Sequence, residues 1–299
     1  MINYSFHLAI YLSVYIIMAM SLNVLVGYSG LLTLAHASYF AVGAYCYALA
    51  ALSGWGFMAS VILAAGVAGA MSLASSLPSW RLKGDFFVMV SMAVQALFFG
   101  AIHNWVNPGA PVGTWANLTN GPFGIAGVPR PIVFGIKFDT LGETALVAAL
   151  AATVCLALGA MLLRSPWGRA LKTMRDDELA ARGLGKNVRL LKVQAFVIAS
   201  AMVAVGGAIY ASYVSYVDSS LASMDQSILM LSMVIVGGVG NFRGPLVGAV
   251  VLLAIPEALR FANIPDAVAA NIRLMVYGVL LVLMMHFRPQ GLAGSYRLE

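Results

Sequence analysis

The sequence predicts an all-α fold, a polytopic transmembrane helical bundle, and three observations carry that prediction. Of its 299 residues, 61% are hydrophobic and 9% are charged. Soluble domains carry about 25% charged residues, and the mean hydropathy here is +0.90. The apolar residues come in runs, several of them near the roughly 20 residues that cross a bilayer. Charge is concentrated: 8 of the 17 basic residues and 3 of the 11 acids fall in the 29 positions 164–192. About eight membrane segments follow. They form one domain over 1–299, because no polar stretch is long enough for a second core.

The first span is read at 5–26. No basic residue precedes it, so it is not expected to be a cleaved signal peptide. The second, at 31–52, follows Gly27 and Gly30, which mark a candidate break. Gly27, Gly30, Ala35, Ala37, Ser38, Ala41, Gly43 and Ala44 are small enough to let backbones approach. Asn23 and His36 are polar residues in this apolar setting. Either they line a pore or gate, or they bond a neighbouring helix. Spans at 56–78 and 85–102 come next, then a Pro-, Gly-, Asn- and Trp-rich stretch at 103–140. That stretch is too long for a turn. It reads as an external loop that caps a pore or meets a partner, with Trp105 and Trp115 as interface anchors. Its Asn117-Leu118-Thr119 sequon matters only in a glycosylating compartment.

A fifth span at 141–163 leads into 164–192, and a sixth follows at 193–217. The charged stretch is expected to sit in water yet fold. Leu171, Met174, Leu179 and Leu184 fall near helical spacing, Asp176 to Glu178 offer a helix start, and Gly183 and Gly185 a stop. It is either a docking surface or a solvated connector. Positions 226–259 read as a broken or re-entrant pair around Gly237, Gly238, Gly240, Asn241 and Gly244, with a tight surface turn as the alternative. At least one of those glycines is expected in a conformation closed to other residues. The last span is 271–287.

Basic residues in short loops are retained in the cytoplasm. With 164–192 inside, alternation puts twelve basic residues inside, including Arg81, Lys83, Arg288 and Arg297. Four fall outside, namely Arg130, Lys137, Arg260 and Arg273, and Arg243 is unassigned. The N-terminus is then outside and the C-terminus cytoplasmic.

No Walker lysine motif, HExxH, GxSxG or CxxC occurs, so no catalytic residue, metal or cofactor is expected. Cys46 and Cys155 lie in apolar runs and suggest no disulfide framework. No aromatic–basic interleaving points to nucleic acid. Glu143, Glu257 and Arg273 fall near proposed span ends, and no buried carboxylate relay is visible. That weakens a stand-alone secondary transporter or channel, which stays as the alternative to an importer subunit; a purely structural membrane subunit is a third class.

Four segments resemble one family in the right order. They are NVLVGYSGLLTLAHASYFAVGAY, NGPFGIAGVP, SPWGRALKTMRDDELAARGLGKNVRLLKVQAFVIAS, and GGVGNFRGPLVGA with the terminal RPQGLAG. They resemble the permease subunits of branched-chain amino acid ABC importers, specifically the M-type (LivM-like) subunit. Leu31 and Ala35 stand where the first signature usually has glycine. The third segment is similar to the importer coupling motif Glu-Ala-Ala-x-x-x-Gly. Ala180, Ala181 and Gly185 fit it, Leu179 takes the Glu slot and Glu178 is one position early.

The resemblance implies a bacterial inner-membrane subunit that passes branched-chain amino acids or a related small polar solute, such as urea or an amide. It implies pairing with a second, LivH-like permease subunit, two ATP-binding cassette ATPases and a periplasmic solute-binding protein. It places coupling to the ATPase at Arg175, Asp176, Asp177, Glu178, Ala180, Ala181, Gly183 and Gly185, with Ala181 facing water in the lone subunit. Candidate pore or gate residues are Asn23, Gly27, Gly30, His36, Gly237, Gly238, Gly240 and Asn241.

Overall fold

The computed structural model describes residues 2–133, 136–138, 140–261, 266–288 and 290–293. Arg297 and the end of the terminal motif lie outside the described residues, as do the side chains of Lys137, Arg260 and Arg273.

The chain enters as α1 (Ile2–Asn23), continues through a wide π turn (Val24–Tyr28), and breaks. Ser29 donates its hydroxyl to the carbonyls of Val24 and Leu25, and Gly30 adopts φ +69°. Residues 31–35 are non-helical, and α2 (His36–Leu52) begins only at His36. The break expected at Gly27 and Gly30 is present, but the span read at 31–52 starts five residues late, because apolar residues there run through the break itself. The helices α3 (Phe57–Met71) and α4 (Leu73–Ser76) follow, interrupted at Ser72. Then comes α5 (Gly84–Asn104).

The 103–140 stretch holds β1 (Ile125–Ala126) and a hairpin of β2 (Ile132–Val133) with β3 (Ile136–Lys137). A capping box between Thr140 and Glu143 starts α6 (Leu141–Arg164), so Glu143 has a structural use at a helix start. The charged segment forms α7 (Pro166–Asp176) and α8 (Glu178–Gly183). Next is α9 (Val188–Val214), which begins inside the stretch read as loop. After β4 (Tyr216–Val217) come α10 (Met224–Gly237), α11 (Gly244–Phe261) and α12 (Asp266–Phe287).

The core is built on close backbone crossings. A Cβ on Gly43 of α2 would lie 2.4 Å from Ala204 Cα of α9, and one on Gly207 would lie 2.2 Å from the Phe40 carbonyl oxygen. Glycine therefore brings α2 and α9 together as bare backbones. The α10–α11 pair is made the same way: a Cβ on Gly248 would meet Met233 O at 1.8 Å. The two helices form a hairpin whose turn holds Gly238 at φ +115° and Gly240 at φ +75°, so the glycine expectation is met.

The two polar regions sit at opposite ends of the bundle. At one end, Arg175 reaches Gly27, Lys192 reaches Ser79, and Glu178 reaches Lys83. The chain after α12 joins this end, where Leu292 and Ala293 donate backbone N–H groups to Val236 and Gly237 carbonyls. At the other end, β1 pairs antiparallel with β4 (Ile125 with Val217), and His103 bonds Ser219 at 3.0 Å. Near neither end, the segment before α10 turns inward: Gln95, eleven residues into α5, bonds the carbonyls of Ala222 and Ser223. At 1.5 Å per residue that is about 16 Å from the start of α5. The 14-residue α10 thus begins part-way along the bundle. The turn at 238–243, by contrast, lies at the charged end and carries Arg243 exposed.

Candidate functional site

Local sequence explains the charged unit. Ser165 accepts from Trp167 N, and Pro166 takes the first helical position, which starts α7. Gly168, Leu171 and Met174 turn inward, and Arg169 and Lys172 stay exposed. At Asp177 the backbone extends, and its carboxylate accepts from Leu179 N (2.8 Å) and Ala180 N (3.0 Å). That caps α8. Lys186 N donates to Ala181 O at 3.1 Å and Gly185 N to Arg182 O at 2.9 Å, with Gly185 at φ +74°. This is a Schellman stop. Of the acids expected to start the helix, Asp177 does so, and Gly185 ends it.

Two expectations from the sequence, that Ala181 and Lys192 face water, are corrected. Ala181 is fully buried, whereas Leu179 and Leu184 are 72% and 71% exposed. One position around a helix is about 100°, so the inward turn of Glu178 also carries Ala181 inward, three residues on. Glu178 is ion-paired within the subunit. Its carboxylate lies 2.9 Å from Lys83 Nζ and 3.3 Å from Lys192 Nζ, and it also pairs with Arg182. Lys192, expected in water, is 3% exposed and donates to Ser79 O at 2.7 Å. It is buried because it is paired and hydrogen-bonded. Burial alone would push the Glu178 carboxyl up; the Lys83 hydrogen bond and the charges of Lys192 and Lys83 hold it below the ordinary glutamate value.

Arg175 is also turned inward. Its Nη1 donates to Gly27 O at 2.6 Å and its Nη2 pairs with Asp176 at 2.9 Å. A cavity of about 390 Å³ lies between α8, the broken stretch at 29–32 and the start of α5.

The candidate pore residues divide into groups. Asn23 Oδ1 accepts from Gly240 N (3.1 Å), and its Nδ2 donates to Asn241 O (3.0 Å). Asn241 in turn donates to Ala293 O at 2.6 Å. Gly27 fits beside them, because a Cβ there would meet Asn23 Oδ1 and Gly240 N. Gly237 and Gly238 pack on Gly244, Gly248 and Gly291. Gly30 lies against Arg175 instead. His36 is separate and fully buried, with its Nε2 2.9 Å from Ser21 Oγ. In the single subunit Asn23 bonds the 238–241 turn and His36 bonds Ser21 of α1.

Sequence reasoning missed the mid-depth junction. Gln95 Oε1 accepts from Ser38 N and Oγ, and its Nε2 donates to the segment before α10. Ser227 donates to Leu34 O, and Ser91 accepts from Leu34 N at 3.0 Å. The break at 30–35 and the segment before α10 thus meet on α5. A buried glutamine inside an apolar run was the available signal. Lys83 and Lys192 were missed as a pair because they are far apart in sequence.

Comparison with known proteins decides the family. Residues 4–285 match the family described as "Branched-chain amino acid transport system / permease component". The chain belongs to this permease family. It is 31% identical over 308 residues to the high-affinity branched-chain amino acid transport system permease protein LivM of Escherichia coli (strain K12), covering 95% of this chain and 68% of that one. It is 25% identical to a probable LivM of Methanocaldococcus jannaschii, over 72% of this chain and 62% of that one. It is 24% identical to the autoinducer 2 import system permease protein LsrC of Salmonella paratyphi B, over 60% and 49%. No solved structure matches the chain.

The loop at 103–140 of this permease is folded on itself. Trp105 donates Nε1–H to Trp115 O at 2.7 Å, and the rings meet edge to face. Thr119 Oγ1 donates to Trp105 O at 3.1 Å. Asn117 of the sequon is buried and donates to Ala110 O at 3.0 Å, so it is not presented as an acceptor. Glu257 lies within α11 and accepts from Tyr4 of α1. Among the described residues, no group of three His, Cys, Asp or Glu side chains could hold a metal ion.

Proposed function

We propose that this permease forms half of the membrane path of an ABC importer for branched-chain amino acids or a related small polar solute such as urea or an amide. The observation that carries the reading is the family match over 4–285. The relatives' names span amino acids and autoinducer 2, so the fold alone does not choose the solute. The partners are a second, LivH-like permease subunit in a heterodimer, two ATPases that perform all ATP hydrolysis, and a periplasmic binding protein that delivers the solute. The chain sits in the bacterial inner membrane with its N-terminus outside and α7–α8 in the cytoplasm. ATP-driven closure of the ATPases pushes on α8, whose exposed Leu179, Ala180 and Leu184 form the docking face. Asp176, Arg182, Gly183 and Gly185 border that face, while Asp177 shapes the helix.

The test is to purify the complex with its binding protein, reconstitute it, and measure which solutes stimulate ATP hydrolysis. Leucine, isoleucine and valine are expected to stimulate, with urea and small amides as the comparison set. Solute uptake into liposomes by the permease alone, without any ATPase, would instead establish the secondary transporter.

A further inference from the structure

We propose that Glu178 is an internal strut, which carries displacement of α8 to the starts of α5 and α9 and does not itself touch the ATPase. The proposal rests on the importer reading for the force that moves α8.

Three cations converge on this one carboxylate from three places: Lys83 immediately before α5, Lys192 early in α9, and Arg182 on α8. Lys192 is pinned at its other side by the Ser79 carbonyl, so it cannot swing away with α8 without losing a buried hydrogen bond. The start of α5 has no side-chain cap: Lys83 is in the N-cap position and makes no capping hydrogen bond. The Lys83–Glu178 pair joins this end to α8, and buried Phe87, edge to face on Phe196, joins it to α9. Exposure sorts the acids. The Asp176 side chain is 59% exposed and that of Glu178 12%, so a partner reaches the first and not the second.

What lies beyond the strut gives it a use. The helix α5 runs without interruption from Gly84 to Gln95. Gln95 holds Ser38 at the start of α2 and the carbonyls of Ala222 and Ser223 before α10. A shift at Lys83 is thus delivered along one helix to where the start of α2 and the segment before α10 meet. The cavity bounded by Ser29, Leu32, Gly84, Phe87 and Met174 leaves α8 room to move towards that element. The Lys192 arm is buried, and removing one partner from it leaves an uncompensated charge; the Lys83 side chain is 62% exposed, so that arm is a water-screened surface contact.

The test has two arms. In the isolated subunit, spin labels at Leu179→Cys on α8 and Phe86→Cys on α5, in a background with Cys46 and Cys155 replaced by alanine, read the coupling directly. The parent should give one narrow distance and Glu178→Gln a broad distribution, with Glu178→Asp between them. If Glu178→Gln does not insert as a folded protein, Lys83→Met decides, because it removes one arm at the surface and should broaden the distance alike. In the complete complex without labels, Glu178→Gln should co-purify with the ATPase in parental yield. Solute-stimulated hydrolysis should fall about tenfold, a typical coupling between two sites. An unchanged distance, or lost co-purification with an unchanged distance, would overturn the strut, the latter making Glu178 a partner contact. Absence of solute stimulation in the parental complex would count against the importer reading, while the distance arm still reads the strut.

Discussion

Gly43 shows what a single residue decides here. Its missing side chain lets α2 meet α9 at Ala204, with a Cβ placed 2.4 Å from Ala204 Cα and 2.6 Å from its carbonyl oxygen. Neither neighbour is a flexible side-chain end, so Gly43→Ala must push two helices apart. Overpacking of this kind costs about 1–3 kcal/mol. Gly66 on α3 is the control, because a Cβ there meets nothing within 4 Å; Gly66→Ala should stabilise by up to about 1 kcal/mol through helix propensity. Thermal melts of the two variants in detergent are expected to move in opposite directions, and equal melts would remove the tight crossing from the fold. The small-residue pattern around Gly43 was legible in sequence, but the helix it faces was not. Lys192 marks the other limit. A charge run reads as solvated, and only folding brings Glu178 and Ser79 to the ammonium.

At the scale of the element, α8 was legible in its ends and not in its orientation. Asp177 and Gly185 are local signals whose effects stay within a few residues. Which face of α8 turns inward depends on where Lys83 and Lys192 lie, and they arrive from other helices. The motif reading therefore put Ala181 outside, where Leu179 and Leu184 are found. The same limit displaced the second span: hydropathy counted residues 31–35 as helix, though Gly30 and the Ser29 bonds end it. A contrast of variants checks the corrected face. Leu179→Asp with Leu184→Asp should leave insertion and melting of the lone subunit within about 0.5 kcal/mol of the parent, as exposed substitutions do, while co-purification with the ATPase is lost. Ala181→Trp should destabilise the lone subunit itself. If Ala181→Trp melts like the parent and only docking fails, the outward face has been assigned to the wrong residues.

For the whole molecule, four ordered segments were enough to place the chain in its family, because glycine, histidine and asparagine at the breaks are sequence-local. The junction of α2 and the segment before α10 on Gln95 was not visible, since it joins residues 57 and 127 positions away. Orientation follows from a global argument of the same kind. Alternation from the sequence expects twelve basic residues on one side and four on the other, and short basic loops stay in the cytoplasm. The helices are consistent with the alternation: α5 runs from Lys83 to Trp105, α6 from Thr140 to the start of α7, and α9 from Asn187 to β4. Ala180 is exposed at the charged end, and Trp115 is 81% exposed at the other. Asn117 would be a poor reporter, because it is buried. With Cys46 and Cys155 replaced by alanine, a membrane-impermeant maleimide applied to intact spheroplasts should label Trp115→Cys at once. Ala180→Cys should react only after the membrane is opened. Labelling of both from the same side would mean that the two ends do not lie across a bilayer, and a clean reversal would put α7 and α8 outside, beyond the reach of any cytoplasmic ATPase.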